Sequence, residues 1–393
     1  IFRYDSFLVE MQQIDAIELY VMEETRNGFK RKKVNNSLSG IPEGGLEKPA
    51  EEQPVVEADS TAFDQSQPVE EPVDPNAGKG VAMASISGTS GVLYISKPKN
   101  KSGKELIPNY PKFKGGGTGS VVYFDKPEIL AGVYDRSLYF TLPPFDLDSL
   151  SDSDPAAIAF AGVFHSDEWF PDFSEELHIM PDYSLGFEHS IPPEGYQLFG
   201  GNGRLYNKIS LDKNGIVGSG NLEFLTTTMN SEEFIFWPDS VAADGNFFNM
   251  LNEDFGGVVY PQISAETFHM KWLPMKDSMY ISNIGPLFAM YNGLADLDGS
   301  VIVTNKGVNG LGTLNTYNST TISKDYTFNS NDYNARHADF QIKSDNPAKP
   351  ALAGADVRLS FDLETRQAEL SPEVAGVAAI SFPYAQFNTS ITK

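Results

Sequence analysis

Residues 215–236 read GIVGSGNLEFLTTTMNSEEFIF, and residues 307–328 read GVNGLGTLNTYNSTTISKDYTF. The two stretches align without a gap, 92 positions apart (307 − 215). Gly215, Gly218, Gly220, Leu222, Thr228, Ser231 and Phe236 recur as Gly307, Gly310, Gly312, Leu314, Thr320, Ser323 and Phe328. A phosphate-binding glycine loop needs a helix start behind it, so that free amides and the helix dipole meet the anion. Here each glycine run leads into Thr, Phe, Ile and Tyr, which suit a pleated sheet. A catalytic motif is usually present once, whereas a turn or bulge recurs wherever the same β unit is built. The glycines therefore read as backbone positions in a repeated β unit.

The match extends backward through the preceding turn. Leu205, Ile209 and Leu211 stand where Leu297, Val301 and Val303 stand in the second copy. Each copy reads as strand, glycine turn, strand, turn, aromatic strand. Working outward, GVLYIS (91–96), SVVYF (120–124) and SLYFTL (137–142) are short runs of aromatic and branched residues. In VRLSFDLE (357–364), Val357, Leu359, Phe361 and Leu363 alternate with Arg358, Ser360, Asp362 and Glu364, which predicts one core face and one solvent face. The fold class expected is mainly β: elongated antiparallel sheet repeats, arranged as an open groove, a sandwich or a solenoid. A short N-terminal helix is expected over residues 5–25, where Phe7, Leu8, Met11 and Ile14 fit one helical face, although Ile17, Leu19 and Val21 alternate as in a strand.

The chain divides accordingly. Residues 1–40 form an N-terminal helix or strand segment. Residues 41–79 are an acidic, proline-rich linker expected to be disordered, because so little apolar surface cannot offset the chain entropy lost on folding. Residues 80–200 are β-rich, 201–292 hold the first repeat copy, and 293–393 hold the second copy with the terminal strands.

Composition narrows function. A formal net charge of −24 over 393 residues argues against a nucleic-acid-coating protein, since the global field repels phosphate. With no cysteine there are no disulfides, thiolate metal sites or cysteine nucleophiles. No apolar run is long enough for a membrane-spanning helix. The opening IFRYDSFLVEM has no initiator Met and no signal-peptide pattern, so the chain reads as a segment of a longer one.

Three constellations are candidates for chemistry. Glu168, Asp172 and Glu175 lie close in sequence beside Trp169, as carboxylates do at a sugar site where one acid protonates and another attacks or activates water. Histidines at 165, 178 and 189 share this segment, but no spacing matches a metal-ligand motif. Lys97, Lys99, Lys101 and Lys104 form a basic island suited to an anionic glycan, a lipid headgroup or the acidic linker. Asp146, Asp148, Asp152 and Asp154 alternate suitably for calcium, while the glycine turn and distal glutamate of a calcium loop are missing. DKNG (212–215) and DLDG (296–299) are partial in the same way. The expected reading of all three is solvated turns and loops, with no catalytic residue, cofactor or metal.

YFDKPEILAGVYD (123–135), DYSLGFEH (182–189), GYQLFGGNG (195–203) and LDKNGIVGSGNLEFLTTT (211–228) resemble segments of very large envelope proteins of Bacteroidota-type bacteria. The resemblance covers roughly residues 80–390 and implies an extracytoplasmic, β-rich scaffold in the periplasm, outer membrane or cell surface. Its partners would be the remainder of a longer chain and other envelope components. The strand-turn-glycine-strand phrasing is also similar to the groove-forming repeats of AsmA/TamB-like proteins, which implies lipid or glycan handling. Such a groove needs a continuously apolar inner face, and Asn207, Thr226 and Thr228 interrupt it.

Overall fold

The computed structural model describes residues 7–20, 22–25, 28–31, 82–95, 112–115, 119–127, 129–147, 159–182, 184–201, 203–346, 348–373 and 376–392. Strand dominates the described residues, which contain no α-helix, only short 3-10 turns. One antiparallel sheet takes in 28 strands, with two further two-stranded ribbons. Among the described residues no helix is long and apolar enough to cross a membrane.

The expected N-terminal helix is corrected. Phe7–Tyr20 is a strand running antiparallel to Ala82–Ile95, paired from Phe7 opposite Ile95 to Tyr20 opposite Ala82 with slips between Met11 and Ile14 and between Leu19 and Tyr20. The alternation of Ile17 and Leu19 was the better guide. A ladder to a distant strand satisfies backbone groups as well as a helix does, and it cannot be read from local periodicity. The 41–79 linker lies outside the described residues.

From Leu185 onward the chain is a meander of long antiparallel strands, most of them interrupted near the middle. Gly215–Phe224 pairs with Thr227–Trp237, and the register slips by one residue between Gly218 and Gly220. Gly307–Thr316 pairs with Ser319–Phe328 and slips at the same place, between Gly310 and Gly312. In both hairpins the extra residue sits on the second strand and is held by a serine. Ser231 Oγ donates to the Asp244 carbonyl at 2.6 Å and accepts from the Glu233 amide at 3.0 Å. Ser323 Oγ donates to the Arg336 carbonyl at 2.5 Å and accepts from the Asp325 amide at 3.0 Å. A short hydroxyl thus satisfies backbone groups that the bulge takes out of the ladder. The recurrence of Ser231 at Ser323 has this physical cause.

These interruptions line up across the sheet as a crease. Between Thr227–Trp237 and Ala295–Thr304 the crease opens the sheet into two rows. Ser240–Gly245, Phe268–Leu273 and Ser278–Asn283 form one row. Phe247–Met250, Ile263–Ala265 and Phe288–Met290 form the other. With the two long strands that both rows share, they close a ring of eight, the barrel-like part of the fold.

The sheet folds over along the crease, so that its two halves face each other. Phe224, on one half, packs against Trp272, on the other, with ring centroids 5.3 Å apart. Further along, Thr321 Oγ1 meets Tyr333 Oη at 2.8 Å across the same gap, and Phe340 lies 6.3 Å from Phe361. The space between the halves is one hydrophobic cluster running from Ile86 to Ile380. Alternation dictates who enters it: Val357, Leu359, Phe361 and Leu363 are buried while Arg358, Ser360 and Glu364 are not. An aromatic pair crosses position 200, where Phe199 packs edge-on against Trp272.

A tyrosine caps the end of the first of these hairpins. Tyr134 Oη donates to the Phe236 carbonyl at 2.7 Å and accepts from the Ile216 amide at 2.8 Å. Burial pushes this phenol far above its ordinary value, with the Ile216 amide opposing and the Asp212 charge adding, so it stays protonated. Tyr134→Phe leaves a buried carbonyl and a buried amide without that partner. Urea titration is expected to show a loss of about 1–3 kcal/mol.

Candidate functional site

The most chemically equipped region is the sheet formed by Leu138–Leu142, Ala159–Ser166, Phe173–Ile179 and Leu185–Ser190. Pairing sets Tyr139 opposite His165 and Thr141 opposite Val163. Leu138, Phe140 and Phe164 take the core face, so Tyr139, Thr141 and His165 take the outer one. There His165 Nε2 lies 3.0 Å from Thr141 Oγ1, and its Nδ1 lies 2.8 Å from Asp172. The imidazole stacks on Tyr139 at 4.7 Å, and Tyr139 abuts Tyr123, whose own face is covered by Arg136 at 4.8 Å.

A second relay lies on the opposite face. Phe173, Glu175 and Leu177 share the core side of their strand, with Glu175 paired opposite Gly162. Glu175 meets His189 Nδ1 at 2.8 Å, and His189 Nε2 meets Tyr196 Oη at 2.8 Å. Phe173 stacks on the imidazole at 3.9 Å. Burial raises the Tyr196 phenol, and the charges of Glu194 and Glu175 add to this, so the hydroxyl keeps its proton. With Tyr196 donating, His189 holds its own proton on Nδ1 and donates it to Glu175.

This arrangement separates the three acids that were candidates for a shared site. Glu168 lies in the turn after Ser166 with φ +67°, Asp172 serves the outer relay, and Glu175 serves the core-side one. Two carboxyl groups on opposite faces of a sheet do not flank one glycosidic bond. Trp169 is buried against Tyr134 and Phe199 and offers no platform to a sugar. The outer row of Tyr123, Tyr139 and His165 spends its ring faces on neighbours.

The other candidates are placed as follows. Lys97, Lys99, Lys101 and Lys104 lie outside the described residues, as do Asp148, Asp152 and Asp154; Asp146 begins the short strand Asp146–Leu147. In DKNG, Asp212 accepts from the Asn214 amide at 2.7 Å, and Asp182 accepts from the Lys213 amide at 2.9 Å. Burial raises the Asp212 carboxyl, against the Asn214 hydrogen bond and with help from the Asp182 charge. These acids are committed to turn backbone. Among the described residues no group of three or more His, Asp or Glu side chains is arranged to hold a metal ion.

Sequence reasoning missed Thr141, Tyr139 and Tyr196 as histidine partners, because only strand register sets them beside a histidine. It also missed Glu373, whose carboxylate gathers two arginines from neighbouring strands. A direct check separates support from chemistry. Asp172→Asn and Glu175→Gln are each expected to cost less than about 1 kcal/mol by thermal denaturation, as partly exposed pairs do.

Comparison with protein-family models, curated proteins and solved structures finds no match.

Proposed function

We propose that this chain is a non-catalytic scaffold segment of a large extracytoplasmic bacterial envelope or surface protein. The observation that carries the reading is the filled interior. From Ile86 to Ile380 the inward positions of both sheet halves are closed by side chains, with Leu222, Phe236, Trp272, Leu297 and Phe340 wholly buried. The buried side chains form one continuous cluster, and the relays tie strands together without converging on a shared space. The acidic surface suits a soluble, crowded setting.

Lipid or glycan handling ranks second. A lipid groove needs an apolar face left open to an acyl chain, and the corresponding face here is packed with protein. The lysine island keeps a glycan- or headgroup-binding role in play. The scaffold reading is tested by fractionating producing cells and shaving their surface with protease. Recovery in the envelope fraction, with no hydrolysis across a polysaccharide panel, is the expected result. Recovery in the cytosol, or hydrolysis abolished by Glu168→Gln, overturns it.

A further inference from the structure

We propose that Glu373 is an acid-sensitive latch that holds the hairpin of Val377–Phe382 and Phe387–Thr392 onto the rest of the folded sheet. Two observations meet here. The first is that the hairpin is thinly attached. Val377–Phe382 pairs with the long strand Leu352–Asp362 only at Ala353 opposite Ser381 and Gly354 opposite Ile380. Ser381 Oγ adds a bond to the Ala353 carbonyl at 3.3 Å, and the Tyr384 amide one to the Pro350 carbonyl at 3.2 Å. Val377 and Tyr384 are exposed, while Ala378 and Ile380 reach the core cluster and Phe382 and Ile391 pack against it.

The second is that Glu373, in the break just before this hairpin, is bound from two other strands. Arg336 reaches it through Nε at 2.9 Å and Nη2 at 2.7 Å, a two-pronged contact with one carboxylate oxygen. Arg358 Nη2 lies 3.3 Å away, and the His337 amide donates at 3.5 Å. The arginines are about half exposed, yet they cover the carboxylate to 3% exposure. Other charges face the cluster: His337 Nε2 at 4.0 Å from Glu373, Asp325 at 4.0 Å from Arg336, and Asp356 bound to His337 Nδ1 at 2.8 Å. A surface pair contributes little, but a covered carboxylate held by several donors is a stronger tie.

The direction of the pH response follows. The Arg336 hydrogen bond, assisted by Arg358 and the His337 amide against the cost of burial, holds the Glu373 carboxyl down at about 2. A free glutamate titrates near ~4.3. A depressed carboxyl stabilises above its free value, and the contribution fades as pH falls from there toward about 2. Below the free value the undocking equilibrium is expected to rise as the pH falls. Undocking leaves the backbone of 352–354 as an open strand edge, a surface able to accept another strand.

Hydrogen exchange by mass spectrometry on the full chain tests this. At pH 7, Glu373→Gln is expected to speed exchange across 377–392 at least fivefold, with 307–328 changing less than twofold. The unaltered chain taken from pH 6 to pH 3, corrected for intrinsic exchange, should reproduce the local change. If Glu373→Gln fails to fold, Arg358→Gln and the pH series carry the test. Acceleration below fivefold in the hairpin, or equal acceleration in 307–328, overturns the proposal.

Discussion

Replacing Gly312 with valine is expected to cost about 4 kcal/mol or more, a large share of the stability of any single fold. Gly312 sits at the crease opposite Gly299, where the backbones of Ala295–Thr304 and Gly307–Thr316 approach closely. A Cβ there would lie 2.1 Å from the Asp298 carbonyl oxygen and 2.8 Å from the Gly299 Cα. Both are backbone atoms, so no rotamer change relieves the clash. The residue also holds φ +133°, a conformation β-branched side chains avoid. Gly257→Val separates the two causes. Gly257 has φ +84° but no neighbour within 4 Å, so only conformational strain of about 1–2 kcal/mol applies. Urea midpoints for both variants decide the matter: equal losses would show that backbone angle, and not close approach, sets the requirement.

Trp272→Ala should be nearly as damaging, at roughly 3–5 kcal/mol. The indole is fully buried and joins both halves of the sheet, touching Phe224 at 5.3 Å and Phe199 edge-on at 5.4 Å. Removing it opens a void between the two halves of the sheet, beside Phe224, Phe199 and Gly203. Its Nε1–H has no hydrogen-bond partner. Trp272→Phe removes that unpaired donor while keeping most of the ring, so the two effects offset and the loss should stay within about 1.5 kcal/mol. A loss for Trp272→Phe as large as for Trp272→Ala would mean the indole's shape, not its apolar volume, is what the site requires. Chemical denaturation with near-ultraviolet dichroism reads both.

The two hairpins at the crease explain which parts of the fold were legible. Alternation in 357–364 marked the buried face because period-two burial acts on each residue locally. The glycines recurring 92 positions apart marked turn and bulge positions, since positive φ and close backbone approach favour glycine in each copy. The N-terminal strand was harder to read. Phe7, Met11 and Ile14 satisfy a helical face, and only the ladder to Ala82–Ile95 makes the extended form the better one. The placement of Glu168, Asp172 and Glu175 was not legible for a related reason. Nearness in sequence along a strand or turn sends neighbouring side chains to opposite faces.

By itself, the sequence determined the β character, the positions of the turns and the recurrence of one glycine-serine bulge, because each depends on the conformational and burial preferences of a few consecutive residues. Only the tertiary structure decided that the sheet folds along its bulges with both halves facing inward. The same holds for Thr141 meeting His165, Tyr134 capping Ile216, and Arg336 and Arg358 closing on Glu373. Those contacts join residues from different strands, and strand register, which local composition does not encode, sets them side by side.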